Sequence, residues 1–449
     1  MKNQNLKSIL LLIIASFWIY TFCQSSIEYT VLKDVAIIHP QWGLVQKGMS
    51  VIIQGEKIAK IEKTASIQIP NNSIVIDLSD KYLIPGLWDM HVHTCWKSGL
   101  DTTFLPLFLA NGVTGIRDLG GKLDLLNLYK RKIQDDPALG PDLYGCGPIL
   151  DGNPPTDFEV TIPLDNEKQA IQVVDSLRNA GVDFIKVYSL LRPNVYQAIA
   201  EHCKKLDLPF SGHVSEFMTP FDASRAGQRS LEHLNRIEDF CINKKETCDS
   251  LIQTLKENNT WVCPTLVVYD YKAYCYEQRI LHKENLKYIE DSIVQRWEES
   301  RTNRVDRIKN EEEWKTLQKR YENQINVVTQ LYRSGIDILT GTDVAGTPYV
   351  LPGFSIHDEL SLLVKAGLSE YEALKCATFN PAKYLGIDDL HGSIESGKIA
   401  NLVVLDENPI DNIENTMKIF GVVRKGKFLD RKYLEDLLRM VNAEIKLAS

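Results

Sequence analysis

Two histidines separated by one residue stand in the short sequence DMHVHT, residues 89–94, directly after an apolar run typical of a buried strand. Alternate residues of a β-strand face the same side, so His91 and His93 would present two imidazoles together. Imidazole nitrogen is a common ligand of zinc and related divalent ions. The pair alone is equally compatible with two hydrogen-bonded core histidines, so the rest of the chain must decide.

Four further residues of suitable chemistry lie at the ends of other predicted strands: Lys186 in DFIKVYS, His213 in PFSGHV, His233 in SLEHL and Asp343 in LTGTD. An uncompensated ammonium group on a buried strand costs several kcal/mol, so Lys186 is expected to be neutral. A neutral amine beside a divalent cation could react with carbon dioxide and become a carbamate that supplies oxygen ligands to two ions. Each residue taken singly could be structural. Together with the histidine pair, they predict a metal site.

Strand and helix signals alternate through the middle of the chain and must position these residues. Eight short apolar segments predict strands: GLWDMHVH, GVTGIRDL, DLYGCGPIL, VDFIKVY, LPFSGHV, RSLEHL, TWVCPTL and DILTGTDV. Helical stretches such as 167–180 and 194–205 separate most of them, and the charged run 280–330 predicts long helices with a solvated face. This repetition favours an α/β fold, a closed (β/α)8 TIM barrel, with the six residues at the carboxyl ends of strands 1, 4, 5, 6 and 8.

Short alternating apolar segments at both ends of the chain predict a second, smaller domain. The pattern fills residues 27–83 and returns in KIANLVVLDENP and IFGVVRKGKFLD near the carboxyl terminus. We therefore expect one β-sandwich formed by residues 24–84 and 390–435, with the barrel, residues 85–389, inserted between its two parts.

The order of these residues along the strands resembles the amidohydrolase superfamily in its binuclear form with a carboxylated lysine. The motifs LIPGLWDMHVH, GVTGIRDLGG and LHGSIESGKIANLVVLDENPI share this resemblance, which covers nearly all of the chain after residue 23. Within the superfamily, the chain is most similar to the imidazolonepropionase-like group that includes Xaa-Pro dipeptidases. The lysine on strand 4 favours the peptidase-like members.

The resemblance implies two divalent metal ions, expected to be zinc. Their implied ligands are His91, His93 and Asp343 at the more buried ion, His213 and His233 at the second, and N6-carboxylysine at Lys186 bridging both.

The implied reaction is hydrolysis of an amide bond, most simply in dipeptides or N-acyl amino acids. A metal-bridging hydroxide would attack the carbonyl, and Asp343 would act as general base and then as general acid. Tyr188 could donate a hydrogen bond to the substrate, or it could simply pack. Arg117 could bind a substrate carboxylate, or it could pair with Asp118 or another acid. Hydrolysis of a cyclic amide, lactone or organophosphate, and metal binding without catalysis, are the alternatives.

The net charge of −8 and the lack of any Lys/Arg run argue against a nucleic-acid partner and favour a small-molecule or dipeptide substrate. Formation of a homo-oligomer stays open. Lys2 and Lys7 precede the apolar residues 9–22, which is typical of a signal peptide, here residues 1–23. The run is shorter than the roughly 20 residues of a membrane span, so no stable span is expected after cleavage.

We therefore expect a secreted or periplasmic protein, with lipid attachment at Cys23 as an alternative. Eight cysteines remain after cleavage, and Cys241 and Cys248 could form a disulfide in an oxidising compartment.

Overall fold

The structure is a computed structural model that describes residues 29–156 and 159–448; the predicted signal peptide and Cys23 lie outside the described residues. The strands are β1 (Tyr29–His39), β2 (Leu44–Gln54), β3 (Lys57–Lys63), β4 (Ser73–Asp77), β5 (Tyr82–Pro85), β6 (Leu87–Val92), β7 (Val113–Asp118), β8 (Asp142–Gly145), β9 (Ile149–Gly152), β10 (Thr161–Leu164), β11 (Ile185–Val187), β12 (Phe210–Gly212), β13 (Ser230–Glu232), β14 (Trp261–Cys263), β15 (Leu402–Leu405), β16 (Ile419–Arg424) and β17 (Lys427–Asp430).

The α-helices of the described residues lie between and after these strands. They are α1 (Leu100–Ala110), α2 (Leu123–Asp135), α3 (Glu167–Asn179), α4 (Pro193–Leu206), α5 (Pro220–Arg225), α6 (Ile237–Cys241), α7 (Lys245–Glu257), α8 (Leu266–Tyr274), α9 (Asp291–Arg307), α10 (Glu311–Arg333), α11 (Ser355–Lys365), α12 (Glu370–Cys376), α13 (Phe379–Leu385) and α14 (Arg431–Ala448). The helices predicted over 167–180 and 194–205 correspond to α3 and α4, and the charged run 280–330 contains α9 and most of α10. Across the described ranges, no helix is both long enough and apolar enough to cross a membrane.

The middle of the chain forms two parallel sheets. The first has the order β6-β7-β8, and the second has the order β10-β9-β11-β12-β13-β14. Every residue of β6, β7 and β11 is buried, as expected for parallel strands covered on both faces. The sequence DLYGCGPIL, predicted as one strand, forms both β8 and β9, because Gly147 between them adopts a φ of +66° that turns the chain.

The predicted eighth strand, DILTGTDV, pairs only at isolated positions. Ile338 bridges to Val262 of β14, and Val344 bridges to Val92 of β6. A Cβ on Gly341 would lie 2.8 Å from Cβ of His91, so glycine permits this close approach to β6. The segment therefore links the second parallel sheet to the first, in the mixed α/β arrangement of a TIM-barrel-like domain.

A buried carboxylate fastens this segment to β6. Asp89 accepts hydrogen bonds from the backbone N–H of Thr342 at 3.0 Å and from its hydroxyl at 2.6 Å. Burial raises the pKa of Asp89 to about 7. Asp89 thus has a structural position between His91 and the segment that carries Asp343.

The two chain ends share one mixed sheet, as the alternating pattern at both ends predicts. Its order is β17-β16-β15-β5-β1-β2-β3, with β4 paired to β1. The two ends meet where β5 pairs antiparallel with β15, for example Leu83 with Val404. Leu83 and Val404 are fully buried in the same hydrophobic cluster. That this sheet forms part of a sandwich stays a prediction.

A disulfide between Cys241 and Cys248 joins the end of α6 to the first turn of α7, which confirms that these two cysteines bridge. The other cysteines of the described residues are free and buried.

Candidate active site

A cavity of about 330 Å³ lies at the carboxyl ends of the parallel strands, and its wall contains His93, Tyr188, His213, His233 and Asp343. His91 and Lys186 are fully buried beside it. The ring of His233 lies 4.7 Å from that of His91 and 4.9 Å from that of His213. The structure thus brings all six predicted ligands into one cluster.

Strand ends position these side chains. His93 directly follows β6, His213 follows β12 and His233 follows β13. His233 and Asp343 have φ values of +63° and +64°, a region that residues other than glycine seldom adopt. Such backbone conformations are found preferentially at functional sites. At His233 a sharp turn follows the strand end, and at Asp343 a sharp turn lies in the segment that bridges to β6; both side chains line the cavity.

Each of the four histidines uses its Nδ1 atom in a hydrogen bond. The partners of Nδ1 are Glu232 Oε2 for His91 (2.9 Å), the carbonyl of Gly120 for His93 (3.1 Å), Ser189 Oγ for His213 (3.0 Å) and Thr265 Oγ1 for His233 (2.6 Å).

The nature of these partners assigns the ring tautomers. A carboxylate and a carbonyl can only accept, so Nδ1 of His91 and of His93 carries the hydrogen. Thr265 donates its own hydroxyl to the Pro264 carbonyl at 2.8 Å and therefore accepts from His233. The Nε2 atoms of the His91 and His233 rings are left with lone pairs, as in metal-binding histidines whose Nδ1 is held by the protein. Nε2 of His93 instead faces the Asp343 carboxylate at 3.3 Å, and this contact outweighs burial and raises the pKa of His93.

Two buried nitrogen atoms of the cluster have no hydrogen-bond partner among the described residues: His91 Nε2 and Lys186 Nζ. Burial lowers the pKa of Lys186, and it lowers the pKa of His91 to about 4. Burial also lowers the pKa of His213 and His233 well below the usual value. These nitrogens therefore favour the neutral form that a metal ion requires.

Asp343 supplies the negative charge of the cluster. Its Oδ1 atom lies 3.4 Å from Nε2 of His91 and 3.3 Å from Nε2 of His93. Burial opposes ionisation of Asp343, but its hydrogen bond with His93 and the neighbouring imidazoles outweigh burial and lower its pKa. The ligand atoms of these three residues lie within 4.8 Å of one another, so a single metal ion could contact all of them.

Glu232 is a site residue that the sequence analysis missed. It is buried, accepts from Nδ1 of His91, and accepts from an N–H of Arg117 at 2.7 Å. Burial would raise the pKa of Glu232, but the positive charge of Arg117 outweighs burial and lowers it. The sequence did contain a signal for Glu232: Arg117 and Glu232 carry opposite charges on two buried strands. Buried charges must find partners inside the protein.

Arg117 itself does not line the cavity. It is fully buried and donates to the carbonyl of Met90, to Ser230, to Tyr384 and to Glu232. Arg117 therefore has a structural role, and the acid that pairs with it is Glu232, not Asp118. The substrate-binding alternative for Arg117 finds no support, because every guanidinium nitrogen already has a protein partner.

Tyr188 lines the cavity wall and stacks on the ring of His213, with ring centroids 4.0 Å apart and an angle of 25° between the rings. The Lys186 Nζ atom lies 5.7 Å from the centre of the Tyr188 ring. Tyr188 therefore packs against the cluster and also faces the cavity.

Residues 82–429 match the sequence model of the amidohydrolase family. The chain belongs to this family. The amidohydrolase is 21% identical to an imidazolonepropionase from Pseudomonas syringae pv. tomato over 393 residues, which cover 84% of the chain and 92% of the relative.

Solved structures similar to this amidohydrolase include a bottromycin amidohydrolase (TM-score 0.75, 24% identity, 92% of this chain and 90% of that chain). A Xaa-Pro dipeptidase with bound methionine is also similar (TM-score 0.69, 20% identity, 90% of this chain and 100% of that chain). Family membership makes the protein a hydrolase of carbon–nitrogen bonds, and the imidazolonepropionase relative agrees with the group that the motifs indicate.

Proposed function

We propose that this amidohydrolase is a metal-dependent enzyme that cleaves the amide bond of dipeptides or N-acyl amino acids. The observation that carries the proposal is the hydrogen bonding of the four histidines. Their Nδ1 atoms are all held by other residues. Three of the four rings line a single cavity whose wall also contains the carboxylate of Asp343, and His91 is buried beside it. We also propose that the two parallel sheets and the segment 338–344 form a closed (β/α)8 barrel.

The donor set fits two divalent ions, and its N and O atoms suit zinc. We assign His91, His93 and Asp343 to one ion, and His213 and His233 to the other. Lys186, buried and without a hydrogen-bond partner among the described residues, fits the bridging position as N6-carboxylysine. When bound, such ions activate a water molecule and polarise the scissile carbonyl.

Asp343 is the proposed general base and acid. Its lowered pKa keeps it ionised at neutral pH, so it can take the proton of the attacking water and deliver that proton to the leaving amine. Its Oδ2 atom accepts a hydrogen bond from the Thr347 hydroxyl at 2.9 Å, which fixes the orientation of the carboxylate. Tyr188 faces the same cavity and could donate to the substrate.

The test is a substrate screen with the zinc-loaded protein. It compares dipeptides and N-acyl amino acids with cyclic amides, lactones and organophosphates, and each reaction is repeated after removal and restoration of metal. We expect turnover of at least one linear amide class, lost on chelation and regained with zinc. Turnover of lactones or organophosphates alone would contradict the proposal, as would amide hydrolysis that survives full metal removal.

We further propose that the protein is exported from the cytoplasm. The disulfide Cys241–Cys248 supports export, because such bonds persist mainly in oxidising compartments.

A further inference from the structure

Helix α9 covers the cavity of the metal cluster with one face. Ile293, Arg296, Trp297 and Ser300 all line that cavity, and their spacing of three and four residues is that of a single helical face. Arg296 is therefore a positively charged side chain in the same cavity as the proposed catalytic residues.

Arg296 is held by an aromatic ring and not by an acid. Its guanidinium lies 4.6 Å from the centre of the Trp96 ring, which also lines the cavity. Among the described residues, no carboxylate pairs with Arg296. By contrast, Arg301 on the same helix pairs with Glu298 and lines neither this cavity nor the adjoining one. A guanidinium stacked on a ring keeps its N–H groups available to a carboxylate.

A second cavity, of about 680 Å³, adjoins the first and shares Arg296, Ser300, Gly346 and Pro348 with it. Lys272, Arg304 and Arg307 also line this second cavity, which we call the basic cavity. Arg304 donates to the carbonyl of Lys272 at 2.8 Å, so the two basic residues are held close together.

Among the described residues that line the two cavities, basic side chains outnumber acidic ones outside the metal cluster. The bases are Lys272, Arg296, Arg304 and Arg307, against the acids Glu159 and Glu299. The positive charge of these lining residues therefore contrasts with the net charge of −8 of the whole chain. A cleft lined by one sign of charge concentrates ligands of the opposite sign.

We propose that the substrates carry a second carboxylate in addition to the α-carboxylate of the amino acid or dipeptide. This second carboxylate lies remote from the scissile amide, and Arg296 binds it at the passage into the basic cavity. The inference rests on the proposed function and names the substrate class of the same site: acidic N-acyl amino acids or acidic dipeptides. Arg296 can form paired hydrogen bonds with a carboxylate, and the basic cavity supplies the surrounding positive field.

Two pairs of compounds test the effect of the second carboxylate, because the members of each pair have nearly the same shape and differ in a carboxylate against an amide. N-acetyl-L-glutamate and N-acetyl-L-glutamine differ on the amine side of the amide, and N-succinyl-L-alanine and N-succinamoyl-L-alanine differ on the acyl side. With the zinc-loaded protein, we expect the acidic member of at least one pair to have a kcat/KM about tenfold higher or more. Arg296→Gln should abolish the preference by raising KM for the acidic member alone. Arg301→Gln, a matched charge change on the same helix, should keep it.

Turnover of the two compounds that carry an amide in place of the second carboxylate shows that each variant is folded. Equal kcat/KM values within both pairs, or a preference that survives in Arg296→Gln, would overturn the anion site and leave the proposed amide hydrolysis standing. If none of the four compounds is hydrolysed, calorimetric Kd values for the same compounds give the same contrast. If the wild type binds the acidic member of a pair more tightly and Arg296→Gln does not, the anion site is supported even though these amides are not hydrolysed. Equal Kd values for the two members of each pair would overturn the anion site.

Discussion

His91 is held by a carboxylate that is itself held by a guanidinium. Glu232 accepts from Nδ1 of His91 at 2.9 Å and from Arg117 at 2.7 Å, and all three side chains are buried. This chain of contacts fixes the tautomer that leaves a lone pair on Nε2 of His91, the atom proposed to bind metal. Residues that orient ligands in this way typically control metal affinity by about 10–100-fold.

The Glu232→Gln variant tests this positioning role. The glutamine can still accept from Arg117 through its oxygen, but its NH2 group cannot accept from His91. We expect zinc affinity to fall about 10–100-fold, measured by competition with a chelating dye. Glu311→Gln, at a residue whose side chain is 83% exposed, is the matched control and should bind zinc like the wild type. Equal affinity in the Glu232 variant would show that the contact does not position His91.

At the scale of secondary-structure elements, the helices after His233 are fastened at two points. The disulfide joins α6 to α7, and Arg320 of α10 pairs with Glu238 of α6. These contacts brace the chain that leaves β13 immediately beyond a predicted metal ligand.

Removal of the disulfide should cost stability without removing the site. A disulfide stabilises mainly by restricting the unfolded chain, and for a short loop the expected contribution is about 2 kcal/mol. We expect the double variant Cys241→Ser/Cys248→Ser to unfold at lower denaturant concentration while it retains its zinc content. Cys203→Ala, which removes a free buried sulfur, controls for lost packing. Identical unfolding midpoints for the double variant and the wild type would contradict this expectation.

Local sequence patterns predicted those elements whose signals lie within one segment. Seven of the eight predicted segments contain strands of the parallel sheets, and the six candidate ligands meet as expected. The eighth segment forms only isolated bridges, and Asp343 near its end has a φ of +64°. The local patterns did not predict Glu232 as a site residue because its partner His91 lies 141 residues away along the chain.

At the scale of the whole molecule, a buried ion pair joins the sheet of the chain ends to the first parallel sheet. Arg424 of β16 donates to both carboxylate oxygens of Asp142 in β8, at 2.8 and 3.0 Å, and also to the carbonyl of Gly140. The side chain of Arg424 is 1% exposed and that of Asp142 is 19% exposed. Loss of the Asp142 carboxylate would leave the charge of Arg424 buried without an acidic partner.

Asp142→Asn should therefore destabilise the protein by about 3 kcal/mol, measured by chemical denaturation at neutral pH. Burial alone would raise the pKa of Asp142, but Arg424 outweighs burial and lowers it below 3.8. The stabilisation is therefore present above the ordinary carboxyl pKa and is lost as the pH falls through the lowered one. The variant should lose less stability than the wild type on acidification. An identical acid dependence, or unchanged stability at pH 7, would contradict this assignment.

The metal content of Lys186 variants tests the two-metal site most directly. Elemental analysis of the wild type, after removal of unbound zinc, should give two ions per chain. Lys186→Ala, and Lys186→Met of closer volume, should bind at most one ion tightly, because Lys186 is the residue assigned to both ions. Circular dichroism shows whether both variants are folded. Two tightly bound ions in a folded Lys186 variant would contradict the bridging lysine and with it the proposed site.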